Sequence, residues 1–249
     1  MRQVILNILG IVAEIIMIVS ISCSLLIYPW WMAVVTTILI IFFCCILECS
    51  RQKHEDSFYF VDESRFRLFL LSLTGVTEGS ARALAAGIAV LLTFSGNDKE
   101  RTFVLACIFA FCLFLGTGLL RRGFYKYGMR PLRWSYFRLS FPLGLMFSSG
   151  VHIATELDFL AVASLKNLAG YFFLDLSPRP TIQQMSDLAF KIRHTIDALI
   201  ADVSGNLLGQ IYAPFVAILV SINILIGFVL AAYVAIILEV VLFFEGGRR

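Results

Sequence analysis

Two carboxyl groups lie inside long apolar stretches of this chain and raise the first question about its chemistry. Glu14 lies within the first such stretch, and Glu239 lies near the end of the last one. An ionised carboxylate is costly in a bilayer, so it becomes neutral, pairs with a cation or lines a polar pathway. Both residues are candidates for a proton or cation site. The alternative is structural: Glu14 bonds a neighbouring helix as a neutral or paired group, and Glu239 is half in water.

One histidine also falls inside an apolar stretch. His152 and Glu156 are four residues apart, which places both side chains on one face of a helix. Two ligand-type side chains at this spacing indicate a metal site only weakly, and a histidine that hydrogen-bonds its neighbour is the simpler interpretation. The sequence has no phosphate-binding loop, zinc-protease motif or catalytic set. We therefore expect no cofactor and no enzymatic activity.

Residues 121–138 form the most basic segment, with six Lys and Arg residues and no acidic one. Aromatic side chains alternate with these cations, a pattern that suits anionic lipid headgroups or a partner protein. The alternative is an ordinary cytoplasmic loop, which is basic for topological reasons. The candidate lipid- or partner-binding residues are Arg121, Arg122, Lys126, Arg130, Arg133 and Trp134.

The composition indicates that most of this chain lies in a membrane rather than in water. Of 249 residues, 59% are hydrophobic and only 15% are charged, whereas soluble domains carry about 25% charged residues. Most apolar residues form runs of about 18 or more, the length of a membrane-spanning helix. The sequence predicts an all-α, polytopic helical integral membrane protein and excludes an ordinary soluble enzyme. The net charge of +3 is too small to indicate nucleic-acid binding.

The hydropathy pattern predicts about six transmembrane helices. The expected spans are 4–28, 30–47, 81–94, 102–120, 137–155 and 211–244. The corresponding regions are a transmembrane hairpin (1–49), a cytoplasmic mixed-charge loop (50–81), three spans with the basic cytoplasmic loop 121–138 (82–155), an interfacial or external helical segment (156–210), and the last span with its basic tail (211–249). The last span is longer than the hydrocarbon core, so it must tilt, project or bend near Asn223 and Gly227.

An extra amphipathic helix is predicted before the last span. Thr181 and Gln184 form a capping box at its start, and the helix is expected to run to about Ser204 and to end at Gly205. Its apolar residues recur every three or four positions, and we expect the membrane interface or a partner to cover them. This apolar stripe consists of Ile182, Met185, Leu188, Ala189, Ile192, Ile196, Leu199, Ile200 and Val203.

The distribution of Lys and Arg predicts the orientation. With six spans, both termini and the basic segment lie in the cytoplasm, and residues 97–100 and 178–206 lie outside. A seven-span alternative makes residues 157–176 cross the bilayer. That crossing would place Lys166 near mid-membrane at a cost of about 2.5–3.5 kcal/mol, which favours six spans. The expected location is a bacterial inner membrane.

These patterns favour a non-enzymatic role. The leading prediction is a membrane subunit or anchor of a larger assembly, of the secretion, conjugation or defence type, in contact with anionic lipids and with other subunits or copies of itself. The alternative is a small transporter or oligomeric channel that uses Glu14. A transporter requires Glu14 to face a polar cavity, whereas an anchor requires it to pair locally or with a partner.

Overall fold

The computed structural model describes residues 2–43, 65–127, 131–157, 159–160, 180–209 and 212–244, and these residues contain helices and turns but no strand. The helices are α1 (Arg2–Ile27), α2 (Pro29–Phe43), α3 (Arg65–Phe94), α4 (Lys99–Tyr127), α5 (Pro131–Glu156), α6 (Ile182–Leu208), α7 (Ala213–Val220), a 3-10 turn (Ile222–Leu225) and α8 (Ile226–Phe244).

Within this described part, four segments are long and apolar enough to cross a membrane. They are Ile8–Ile27, Gly75–Phe94, Lys99–Gly123 and Ile222–Phe243. This supports a helical membrane protein, but the predicted count of six spans is not confirmed. The described apolar part of α2 is short, and α5 carries Ser148, Ser149 and His152 in its second half, which lowers its hydropathy.

The centre of the bundle is α8, which packs against α1, α3, α4 and α5. An aromatic cluster fills the space beside it, because the ring of Phe109 makes edge-to-face contacts with Phe94, Phe147 and Tyr233. The Tyr233 hydroxyl bonds Thr36 of α2 at 2.7 Å. The outer helices expose large apolar side chains such as Ile16 and Phe111. Exposed apolar surface of this kind suits contact with lipid.

Two glycines allow α5 and α8 to approach closely. A Cβ on Gly227 would overlap the Ser140 carbonyl oxygen, and a Cβ on Gly144 would overlap the backbone of Ile224. Small residues at such crossings let helix backbones pack closely in membranes. Because the neighbours are backbone atoms, no side-chain movement would make room for a larger residue.

Three helices extend beyond the predicted spans. Residues 65–81 were expected to lie in a loop, but α3 begins at Arg65, and its apolar candidate span begins at Gly75 rather than at Ala81. α4 continues to Tyr127 and α5 begins at Pro131, so the described parts of the basic segment 121–138 are helical rather than a loop. A membrane helix can extend into the headgroup region, where hydropathy no longer marks its end.

Helix α6 begins as predicted and ends later than predicted. The capping box is formed, with Thr181 and Gln184 bonding each other's backbone N–H groups. Gly205 lies inside the helix, and Gly209 ends it with a φ of 97°. This positive φ is why a glycine is suited to the helix end. Of the two glycines near this end, the sequence pattern identified the wrong one.

The predicted last span is broken where the sequence indicated a bend. Ser221 has an extended backbone between α7 and the 3-10 turn, and its hydroxyl accepts a hydrogen bond from Asn223 N. The helical path therefore changes direction immediately before α8. This break brings polar side chains to one end of an otherwise apolar segment.

Candidate functional site

A polar cavity of about 300 Å³ lies between the end of α5, the middle of α6, α7 and the helix break. We call it the end cavity. Val151 and Ile218 form part of its apolar wall, with alanines from α6 and α7. Its polar side chains are Ser148, His152, Thr155, Glu156, His194, Asp197, Ser221 and Asn223.

Local helix geometry explains how these groups meet. His152 and Glu156 lie one turn apart on α5, and His194 and Asp197 lie one turn apart on α6. The break between α7 and α8 contributes Asn223 from a segment that would face lipid or protein if the helix were continuous. The end cavity thus unites three parts of the chain that are distant in sequence.

The Ser221 hydroxyl connects the break to α6. It donates a hydrogen bond to Asp197 Oδ2 at 3.0 Å and accepts one from Asn223 Nδ2 at 2.9 Å. The Ser148 hydroxyl donates to the Ile218 carbonyl at 3.2 Å, which satisfies a backbone acceptor near the end of α7. Side chains thus replace part of the backbone hydrogen bonding that the break removes.

Two acceptors beside the end cavity remain without a donor in the described part of the chain. They are Asp197 Oδ1 and Asn223 Oδ1, both buried. The whole Asn223 residue is only 3% exposed. A buried acceptor without a donor is unfavourable, because it has lost its hydrogen bonds to water.

Burial shifts the protonation of two residues in the end cavity. It raises the pKa of Asp197 above 3.8, opposed by the Ser221 hydrogen bond and by nearby Arg193 and His152. Burial lowers the pKa of His194 below 6.5, and the charge of Arg193 acts in the same direction. His194 is therefore neutral at pH 7 and can accept a hydrogen bond at one ring nitrogen.

A second polar cluster fixes α6 to the turn between α3 and α4. Arg101 is 7% exposed, and its guanidinium bonds Asp187 at 2.8 Å and lies over the Phe190 ring at 4.5 Å. Asn97 donates to Asp187 at 3.2 Å, and Ser186 donates to the Leu92 carbonyl at 2.7 Å. α6 and the α3–α4 turn therefore lie at the same end of the bundle.

Burial also affects the second arginine over this ring. The Arg193 guanidinium lies 5.3 Å from the Phe190 centroid and donates to the Thr93 hydroxyl at 3.4 Å. Burial lowers the pKa of Arg193 to about 10, with the charge of Asp197 opposing this shift. The residue remains a cation at neutral pH.

Glu14 is buried and paired within the chain. It is 7% exposed, accepts a hydrogen bond from the Thr117 hydroxyl, and lies 3.6 Å from the Arg121 guanidinium. Both partners belong to α4. Glu14 therefore faces protein rather than lipid, while its role as a proton or cation site stays a prediction.

The other predicted site residues are not gathered into one place. Glu239 is exposed near the end of α8, and Arg122 is exposed on α4. Arg130 and the side chains of Lys126, Arg133 and Trp134 lie outside the described part.

His152 and Glu156 both line the end cavity, yet no three metal-binding side chains among the described residues are placed to hold one ion. Among the described residues, His152 and Glu156 therefore have no third side chain placed to complete a metal site.

Among the polar residues of the end cavity, the sequence indicated only His152 and Glu156 as candidates. His194 and Asp197 belong to α6, for which the sequence drew attention only to the apolar stripe. Asn223 was noted only as a bend. The interruption of the last apolar span was the sequence feature that could have indicated this cavity, because an interrupted span often lines a binding site in membrane proteins.

The apolar stripe of α6 is only partly covered. Leu188, Ala189, Ile192 and Ile200 are half-buried, whereas Ile182, Met185, Ile196, Leu199 and Val203 are exposed, Val203 to 57%. The described part of the chain therefore does not cover the stripe, and its cover by the membrane interface or a partner stays a prediction. The bundle instead contacts a side of α6 that contains Ser186, Phe190 and Thr195, all buried.

No protein-family model matches this chain, and neither a curated protein nor a solved structure shows significant similarity to it.

Proposed function

We propose that this protein is a non-enzymatic integral membrane subunit that anchors a larger membrane assembly, made of copies of itself or of other subunits. The observation that carries the proposal is the exposed apolar stripe of α6. Its exposed members Ile196, Leu199 and Val203 follow one another at helical spacing. They form a continuous surface of the type that packs against another helix.

The stripe cannot be buried by rotating α6. The Arg101–Asp187 ion pair and the Ser186 hydrogen bond hold one half of the helix, and the Ser221–Asp197 bond holds the other. Rotation would break these contacts and leave buried charges unpaired, which is strongly destabilising. A second protein surface can cover the stripe without disturbing them.

The surroundings of α6 favour protein over lipid tails as the covering surface. The adjoining α3–α4 turn exposes Asp98, Lys99 and Glu100, whose charges belong outside the hydrocarbon core. Lys191 and Asp202 of α6 itself are also exposed. Apolar side chains at this level would otherwise contact water or headgroups, so a protein partner gains most from covering them.

The pairing of Glu14 supports an anchor more than a transporter built on that residue. A carboxylate that binds Thr117 and Arg121 contributes to the α1–α4 contact. A transport site would instead require Glu14 to face a polar pathway. The local pair is the arrangement expected of a structural subunit.

The end cavity favours a second candidate function, a small transporter. An interrupted last span that lines a polar cavity resembles the broken helices that form substrate sites in transporters. Proteoliposomes containing the protein would then accumulate a substrate, and Asp197→Asn would reduce that uptake. The anchor proposal expects no uptake above that of empty liposomes.

We propose the membrane orientation from the same part of the molecule. The contacts of the second polar cluster support it, because they hold α6 beside the α3–α4 turn, and a six-span chain has both of them on one side. In the seven-span alternative, the two would lie on opposite sides. The proposed location is a bacterial inner membrane with both termini in the cytoplasm and α6 outside.

Anionic lipids are the second proposed partner. Arg122 is exposed at the cytoplasmic end of α4 in this orientation. Because Arg121 also pairs with Glu14, it has a structural role besides any contact with lipid. Replacing Arg122 and Lys126 by Gln should reduce the anionic lipid that co-purifies with the protein, and unchanged lipid content would contradict this role.

Site-specific photocrosslinking tests the subunit proposal. A photoreactive amino acid at Leu199 should form a protein adduct of defined mass in native membranes. The same amino acid at Ile16, which is exposed on α1, should react with lipid and serves as the control. If position 199 yields lipid adducts alone, the stripe contacts the bilayer and the proposal fails.

A further inference from the structure

We propose that a groove between α4 and α5 holds one acyl chain of a membrane phospholipid. The groove is lined by α4 between Cys107 and Cys112 and by α5 between Leu145 and Ile153. It shares no residue with the end cavity or with the α6 stripe. The inference therefore goes beyond the proposed function and does not depend on it.

The chemistry of the groove suits a ligand without polar groups. None of its lining residues is charged, and its one hydroxyl, that of Ser149, donates to the Leu145 carbonyl of the same helix at 2.8 Å. The thiols of Cys107 and Cys112 are only weak hydrogen-bonding groups. A polar ligand would therefore lose its hydrogen bonds to water without gaining others. A hydrocarbon chain has no such bonds to lose.

The depth of the groove restricts what can reach it. Residues 107–112 lie close to the middle of the apolar segment Lys99–Gly123. Gly150 of α5 lies at the same level, because a Cβ on it would be 2.7 Å from the Ile108 side chain. In a bilayer this level is hydrocarbon without water. The available occupants are a lipid chain and a membrane helix of another chain.

The width of the groove favours the lipid chain. Its volume is about 570 Å³. The α5 wall extends over roughly 12 Å at 1.5 Å per residue, so the groove has a mean width of about 7 Å. A helix with its side chains is about 10–12 Å wide and does not fit into this space. An unbranched acyl chain is much thinner and can enter it.

Packing explains why a chain would stay in the groove rather than mix with the surrounding lipid. Lipid tails are as apolar as the groove, so burial from water supplies no driving force there. An empty groove, however, leaves its lining without van der Waals contacts. The edges are open to lipid, because Phe111 and Ile153 are 61% and 56% exposed. A chain that lies between these edges contacts protein on its floor and on both walls.

Photolabelling of the full-length protein in lipid nanodiscs tests the proposal. The probe is a phosphatidylcholine that carries a diazirine at the middle of one acyl chain, and mass spectrometry maps its adducts. Adducts at the groove residues Cys107 and Met146 should be several-fold more abundant than adducts at Ile16, which is exposed on α1. Lipid that only surrounds the protein would label the groove and Ile16 equally.

Ser149→Leu is the decisive variant, because it fills the groove with a hydrocarbon side chain. Labelling of the groove should fall to the level at Ile16. Ser24→Leu is the matched control, since the Ser24 hydroxyl also donates to a carbonyl of its own helix, and it should leave the groove labelling unchanged. The adduct map of the unmodified protein requires no substitution, so it tests the proposal even if Ser149→Leu does not fold.

Three results would overturn the proposal. The first is equal labelling of the groove and of Ile16 in the unmodified protein. The second is undiminished labelling of the groove in folded Ser149→Leu. The third is a protein adduct, in place of a lipid adduct, from a photoreactive amino acid at Phe111 in native membranes, which would show that another chain covers the groove. All three concern α4 and α5, so failure here is separate from failure of the subunit proposal.

Discussion

Glu14 illustrates how a single carboxyl group is accommodated inside an apolar bundle. The sequence could show that Glu14 needs a partner, because α1 offers few polar neighbours. It could not show which partner, because Thr117 and Arg121 lie about a hundred positions further along the chain. Spacing reveals contacts within one helix, whereas contacts between helices depend on how the helices pack.

Replacing Thr117 by Val tests the Glu14 contact. The change keeps the shape and removes the hydroxyl donor, so the free energy of unfolding should fall by about 1–3 kcal/mol. The loss should become smaller in a Glu14→Gln background, whose amide can bond elsewhere. Denaturant titration in detergent micelles measures both. Equal losses in the two backgrounds would show that the hydroxyl does not act through Glu14.

His194 predicts a pH dependence of stability. Because its pKa is lowered in the folded protein, the unfolded chain takes up a proton first as the pH falls below 6.5. Stability is therefore lost as the pH decreases through that range. Asp197 has a raised pKa, so its effect on stability is opposite to that of His194 as the pH falls. This effect is shared by the unmodified protein and a variant changed only at His194.

The difference between the unmodified protein and His194→Gln isolates this effect. The free energy of unfolding of the unmodified protein should fall relative to that of the variant between pH 7 and pH 5. Above pH 7.5 the difference should be constant. A difference that does not change with pH would mean that His194 has the same pKa in the folded and unfolded states, which contradicts the prediction.

At the scale of the helices, α6 shows what periodicity predicts and what it omits. The capping box and the apolar spacing correctly indicated an amphipathic helix before the last span. The side that meets the bundle depends on distant polar residues, above all Arg101 and Asp187. These contacts outweigh the hydrophobic benefit of turning the stripe inward, because a buried guanidinium without its carboxylate is very costly.

The α5–α8 crossing gives a prediction with an internal control. Gly227→Ala and Gly144→Ala should each lower the free energy of unfolding by about 1–3 kcal/mol, because the added methyl group overlaps backbone atoms. At Gly118 of α4 a Cβ would meet nothing within 4 Å. Gly118→Ala should therefore be neutral or stabilising by up to about 1 kcal/mol. A uniform response at all three positions would contradict the close crossing.

At the scale of the whole molecule, the composition predicted the class of protein but not how its helices are arranged. The high apolar content predicted helices that could span a membrane, and the described part of the chain contains four helices long and apolar enough to do so. Hydropathy did not indicate where α3 begins, where α4 ends and where α5 begins, because these helices continue beyond their apolar segments. The end cavity was not predicted as a unit, since three separate parts of the chain form it.

Topology provides a test at this scale. In a variant without native cysteines, single cysteines at Asp98 and Gln184 should both react with a membrane-impermeant reagent from outside the cell. A cysteine at Arg249 should react only after the membrane is opened. Labelling of position 98 but not 184 from outside would contradict the shared location of the α3–α4 turn and α6.

The mass of the protein particle, extracted in polymer-bounded discs of native lipid, tests the subunit proposal most directly. One chain has a mass of 27.9 kDa. We predict a particle whose protein mass clearly exceeds this value, and a single chain after Leu199→Asp and Val203→Asp are combined. Asp202→Asn, an exposed change on the same helix, should keep the larger mass. A protein mass of one chain in unmodified native discs would contradict the proposal that α6 joins this protein to a larger assembly.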